Sequence, residues 1–133
     1  MDFELSEEQK MLQKTVRKFV EKECSREYIR SLEHSGEFPH DLWQKMAGMG
    51  LLGLPVSTEA GGTGGTAIDM VMVIEELARA TMALAVSFTN TIGLTNKVIS
   101  SLGTDNQKSK FLPELLAGKI QTCFAWTEAS GGS

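Results

Sequence analysis

The chain has 133 residues, with 13 Lys and Arg against 17 Asp and Glu for a formal charge of −4, and is 41% hydrophobic and 23% charged. That size and balance suit one globular domain with its own apolar core, and the scattered basic residues exclude nucleic acid and anionic membranes as expected partners. The acidic stretch Asp2 to Glu8 is unlike a secretory signal and no apolar run is long enough to span a bilayer, so a cytoplasmic protein without a membrane span is expected.

Ser6-x-x-Gln9 is a capping box. The following Leu12, Val16, Phe19, Val20 and Cys24 recur at helical spacing and make one apolar stripe on a long first helix. The pattern breaks around Ser35 to Pro39; Pro39 then opens a short helix with Leu42, Trp43 and Met46, which Gly48 and Gly50 end. A second capping box, Thr66-x-x-Asp69, starts a helix whose Ile68, Met70 to Ile74 and Leu77 are apolar nearly all round, which predicts burial on several sides. From Leu84 to Leu102 apolar residues are interrupted by Ser87, Thr89, Asn90, Thr91, Thr95, Asn96 and Lys97, a mixture suited to lining a cavity, with Gly93 as a candidate bend. Thr104-x-x-Gln107 caps a last helix carrying Phe111, Leu112, Leu115 and Leu116, which Gly118 is placed to close.

After Gly118 the period changes from four to two. Thr122, Phe124 and Trp126 fall on one face of a strand and Cys123, Ala125 and Thr127 on the other. The expected fold is therefore all-α, an orthogonal bundle of about five helices followed by one strand. A lone strand cannot satisfy its own backbone, so the expectation is that the chain is part of something larger.

Several apparent motifs carry bland readings. Leu51 to Val56 can be read as a strand, and Gly62-x-Gly64-x-x-Ala67 imitates a dinucleotide fingerprint, but no second strand with an acidic residue follows; a tight structural loop is the better account. Glu75 and Glu76 are adjacent rather than facing, with Arg79 one turn on, which predicts a solvated or salt-bridged helix face. His34 and His40 lack any pattern that would recruit them to catalysis, and Cys24 and Cys123 are isolated thiols, expected to be buried, with no metal-ligand spacing. Thr127-Glu128 and Gly131-Gly132-Ser133 beside an aromatic strand suit a flavin ring and a phosphate oxygen. Gly-Gly-Ser is equally what a flexible linker or tail looks like.

Phe38-Pro39-x-x-Leu42-Trp43, Met49-Gly50-Leu51-Leu52-Gly53, Glu59-Ala60-Gly61-Gly62-x-Gly64, Glu75-Glu76-Leu77-Ala78-Arg79, Gly103-Thr104-x-x-Gln107-Lys108 and Phe124-Ala125-x-Thr127-Glu128, in this order and spacing, resemble the acyl-CoA dehydrogenase family along essentially the whole chain. The resemblance implies a helical N-terminal domain over 1–118 and, over 119–133, the first strand of a truncated middle β-barrel domain. It also implies FAD as cofactor, an acyl-CoA substrate that loses hydrogens at its α and β carbons, and electron-transferring flavoprotein as the next carrier. The family is commonly a homotetramer, and its catalytic glutamate lies in a C-terminal helical domain, beyond residue 133, so this portion by itself is expected to be inactive. At the last motif the family has Thr-Glu-Pro-x-Ala-Gly-Ser-Asp; here Ala129 and Gly131 replace the proline and alanine.

Carried over residue by residue, the resemblance assigns Phe124, Ala125, Trp126 and Thr127 to the border of the flavin ring, with Thr127 as side-chain donor. Gly132 and Ser133 fall at the flavin pyrophosphate, Ser133 also beside the acyl-CoA. Phe88, Asn90, Thr91 and Leu94 fall along the acyl pocket. The competing reading is a non-catalytic helical interaction module, or one subunit of a split assembly, whose aromatic strand completes a partner's sheet. The location implied is a bacterial-type cytosol, or the mitochondrial matrix if a transit peptide has been removed.

Overall fold

The computed structural model describes residues 4–125 and 127–131. Among them the chain is a helical bundle: α1 Glu7–Glu23, α2 Arg26–Ser35, α3 His40–Gly48, α4 Ala67–Ala80, α5 Met82–Phe88, α6 Lys97–Leu102 and α7 Asp105–Leu116, with a π-helical stretch, Thr89–Asn96, joining α5 to α6. The three capping boxes all form: the hydroxyls of Ser6, Thr66 and Thr104 accept the N–H groups of Gln9, Asp69 and Gln107, whose side chains return the bond. Each closes donors that a helix start leaves open.

The apolar stripe of α1 does not run on to residue 35. At Cys24 the backbone turns to φ −110°, ψ 57°, and Ser25 starts α2 by accepting the Tyr28 N–H at 3.2 Å. A cap three residues into a continuous-looking pattern outweighs the propensity of the residues around it. Leu51–Gly53 is a 3₁₀ turn and not a strand. All of Leu51 to Val56 is buried, which explains its unbroken apolar character without a sheet.

α1 packs along α4, and α4 along α5. Val16, Phe19 and Val20 meet Trp43, Met46, Leu52, Val73, Leu77, Leu84, Phe88 and Ile92 in one core. α4 is less enclosed than its sequence suggests, for Ile68 and Val71 are each 55% exposed while the charged Glu76 is fully buried. The Gly61 to Gly65 loop folds against this core as a structural turn: a Cβ at Gly62 would lie 2.6 Å from the Gly53 carbonyl oxygen and 2.5 Å from the Val56 Cβ. Gly118 closes the last helix at φ 68°, and its carbonyl accepts the Gln44 side-chain amide at 2.7 Å.

Candidate functional site

Met82 to Leu102 form one helical rod whose middle, Thr89–Asn96, is wound as a π-helix. The Lys97 N–H reaches the Ile92 carbonyl five residues back, and the Thr95 hydroxyl donates to the Asn90 carbonyl at 3.2 Å, also five back. The wider turn follows from the polar residues concentrated there, whose hydroxyls bond helix carbonyls; π-helical turns are rare and frequent at functional sites. Thr89 behaves likewise, donating to the Ala85 carbonyl at 2.8 Å. The sequence gave no sign of this winding beyond Gly93, where an added Cβ would meet open space.

Two polar residues of the stretch are buried. Asn96 is fully enclosed, its amide donating to the Leu52 carbonyl at 3.0 Å while its Oδ1 finds no partner among the described residues. Thr91, 3% exposed, donates its hydroxyl to the Thr122 carbonyl at 3.4 Å. Next along the rod, Lys97 extends its ammonium to the Pro55 carbonyl at 3.3 Å.

Of the residues assigned to the acyl pocket, Phe88 is fully buried in the core, Asn90 is half-buried, Thr91 is buried and Leu94 is 40% exposed. They form successive levels of the same rod. Thr91 is the one that the structure joins to the segment expected at the flavin, through Thr122. Among the described residues that segment has no strand pairing: residues 121–125 adopt no regular element, as a strand without a neighbouring strand has no ladder to join. Phe124 is 46% exposed, and Ala125 and Thr127 are exposed. Beyond them a tight turn closes where the Glu128 and Gly131 backbones exchange bonds of 3.2 and 3.1 Å. Trp126, Gly132 and Ser133 lie outside the described residues. Cys123 is exposed, contrary to the burial expected of it, whereas Cys24 is half-buried against the core and that desolvation raises its thiol pKa.

The carboxylate of Glu76 is the polar feature whose partner sequence reasoning missed. Arg17 of α1 grips it from both nitrogens, Nε to Oε2 at 3.0 Å and Nη2 to Oε1 at 2.7 Å, while Arg79 lies 3.3 Å away on its own helix. The hydrogen bond from Arg17 holds the Glu76 carboxyl below the usual carboxylate range, against the burial that would raise it. This pair clamps α1 to α4 and stands apart from the rod's polar face. Glu75, its neighbour in sequence, is exposed. No cluster of His, Cys, Asp and Glu able to hold a metal occurs among the described residues, and none of the helices there is long and apolar enough to cross a membrane.

Residues 6–119 match the sequence profile of "Acyl-CoA dehydrogenase, N-terminal domain". Among curated relatives, the chain is 36% identical over 128 residues, 96% of its length, to subunit CarC of a caffeyl-CoA reductase–Etf complex from Acetobacterium woodii. It is 33% identical over all of its length to a probable acyl-CoA dehydrogenase, YngJ, of Bacillus subtilis. These matches cover 34% and 35% of the two relatives, so the chain spans about a third of their length. The solved structure of butyryl-CoA dehydrogenase from Megasphaera elsdenii superposes with a TM-score of 0.87 at 29% identity, over 99% of this chain and 35% of that one. An acyl-CoA dehydrogenase complexed with FAD from Bacillus anthracis gives 0.86 at 30% identity, over 97% of this chain and 22% of that one.

Proposed function

The chain belongs to the acyl-CoA dehydrogenase family, and from that premise we propose that it forms the N-terminal portion of an FAD-dependent enzyme that oxidises an acyl-CoA thioester between its α and β carbons. The observation that carries the reading is the family match over 6–119, continuous with a polar helical rod that holds the following segment through Thr91. In this reading residues 1–118 are the helical domain and 119–133 begin the middle β-domain.

A thioester α-proton is too weakly acidic to leave unaided, so a desolvated base and hydrogen bonds to the carbonyl must share its activation. The base belongs to a part of the enzyme other than these residues. FAD, when bound, supplies the acceptor for the β-hydrogen. The described residues fit such a group: Thr127 offers an exposed hydroxyl beside the backbone of Phe124 and Ala125, and the Glu128 to Gly131 turn carries the chain round beyond it. Trp126 completes the border of the ring, and Gly132 and Ser133 let the backbone approach its pyrophosphate. Asn90, Thr91 and Leu94 line the acyl chain, with Phe88 as the packed floor beneath them.

The wider assignment is a homotetrameric, cytoplasmic enzyme of fatty acid β-oxidation that passes electrons to electron-transferring flavoprotein; the naming of one relative as a subunit of a complex with Etf favours that partner. The test is to purify the product of the complete gene, record its visible flavin spectrum, and add saturated acyl-CoAs of graded length. Bleaching of the flavin by one of them is expected. A colourless protein that no acyl-CoA affects would overturn the reading in favour of the non-catalytic module. In the flavin-loaded enzyme, Phe88→Ala should shift the chain-length preference; an unchanged preference removes Phe88 from the pocket.

A further inference from the structure

Three threonines lie in the π-helical stretch, and two of them spend their hydroxyls on their own rod: Thr89 on Ala85 and Thr95 on Asn90. That is what a helical threonine ordinarily does. Thr91 does not. Its hydroxyl crosses to the carbonyl of Thr122, 31 residues on, at 3.4 Å, and the residue is 3% exposed. A β-branched side chain so enclosed has its χ1 rotamer fixed, so the hydroxyl is held in one direction. Thr122 is pressed against the same place, for its own Oγ1 is buried and finds no partner among the described residues.

Residues 121–125 have no strand ladder among the described residues to fix their height along the rod. We propose that Thr91 is a positioning residue that sets that height, and that it thereby places Thr127, five residues beyond its bond, for the flavin. The first half stands on geometry alone; the second rests on the flavin reading given above. The winding of the rod takes part in this. A π-helix advances its side chains by a different angle from an α-helix, and it is this local winding that leaves Thr91 facing the segment instead of its own preceding turn.

The test compares Thr91→Val, which keeps the shape and removes the donor, with Thr91→Ser, which keeps the donor. In the full chain, freed of flavin, amide hydrogen exchange is followed across residues 121–125, with thermal melts to establish that both variants fold. Thr91→Val should exchange there about fivefold faster, the opening expected from losing one ordinary hydrogen bond, and Thr91→Ser should stay close to the parent. Equal rates in all three proteins, or equal acceleration in both variants, would overturn the anchoring. Flavin retention is then read from absorbance after gel filtration. A loss of flavin in Thr91→Val that Thr91→Ser restores supports the placement of Thr127. Faster exchange with flavin fully retained upholds the anchor and overturns its link to the flavin. If Thr91→Val does not fold, the same comparison with Thr91→Ala decides.

Discussion

Asn96→Asp replaces one amide nitrogen with oxygen at a fully buried site and leaves the shape unchanged. The parent amide donates to the Leu52 carbonyl at 3.0 Å. Protonated, the new carboxyl can donate there in its place, so at low pH the cost is small. Ionised, it would set a negative charge against a carbonyl oxygen within a closed core, and burial of that kind raises a carboxyl pKa by up to about 3–5 units. The sign follows: with the folded pKa above the unfolded value of about 3.9, stability is lost as pH rises, by about 1.4 kcal/mol per unit until the folded group ionises. At pH 7 the deficit is about 4 kcal/mol, a large share of the stability of a small domain. Urea unfolding followed by circular dichroism, for parent and variant between about pH 4 and 8, gives the difference directly. A difference that does not change with pH would show that Asn96 is not enclosed as described and would refute the reasoning.

Gly62→Ala forces a Cβ to within 2.6 Å of the Gly53 carbonyl oxygen, and should lower stability by about 1–3 kcal/mol, seen as a lower Tm; an unchanged Tm would mean the loop yields freely. Arg17→Met removes the donor that depresses the Glu76 pKa. A depressed pKa stabilises above the unfolded value of about 4.3 and loses that contribution as pH falls, so the stability gap between parent and variant should be widest near neutrality and narrow on acidification. Acid titrations followed by circular dichroism check this, and a gap that widens towards acid contradicts it. Ser25→Ala should cost about 1 kcal/mol in denaturant unfolding through loss of the α2 cap, while Ser31→Ala, at an exposed position within that helix, serves as the near-neutral comparison.

Local chemistry made much of the fold legible. The capping boxes at Ser6, Thr66 and Thr104, the opening at Pro39 and the closing Gly118 all lie within a few residues of the structure they specify, and all form as read. The break at Ser25 was local too, but an uninterrupted apolar stripe concealed it. What depended on distant partners stayed hidden. Nothing near Glu76 in sequence points to Arg17, 59 positions earlier, and nothing near Asn96 points to the Leu52 carbonyl. The buried run Leu51 to Val56 looked like a strand because enclosure on all sides gives the same apolar pattern in either conformation. At the candidate site, the polar interruptions of the rod marked the correct stretch. Which threonine faces outward is set by π-helical winding, and no spacing rule of the α-helix encodes it.

That winding also bears on how the chain can change length. A π-helical stretch holds surplus backbone relative to an α-helix of the same span, so the rod has two natural lengths that differ by a residue. Deleting one residue between Thr89 and Asn96 would let the rod close into continuous α-helix while turning everything after it by about 100°. The buried Asn96 amide and the Thr91 hydroxyl would no longer face their present carbonyls together. Single-residue insertions and deletions in this stretch therefore act as a rotary adjustment of α6 and α7 against the rest of the bundle, a larger structural step than most point substitutions on the same rod can make.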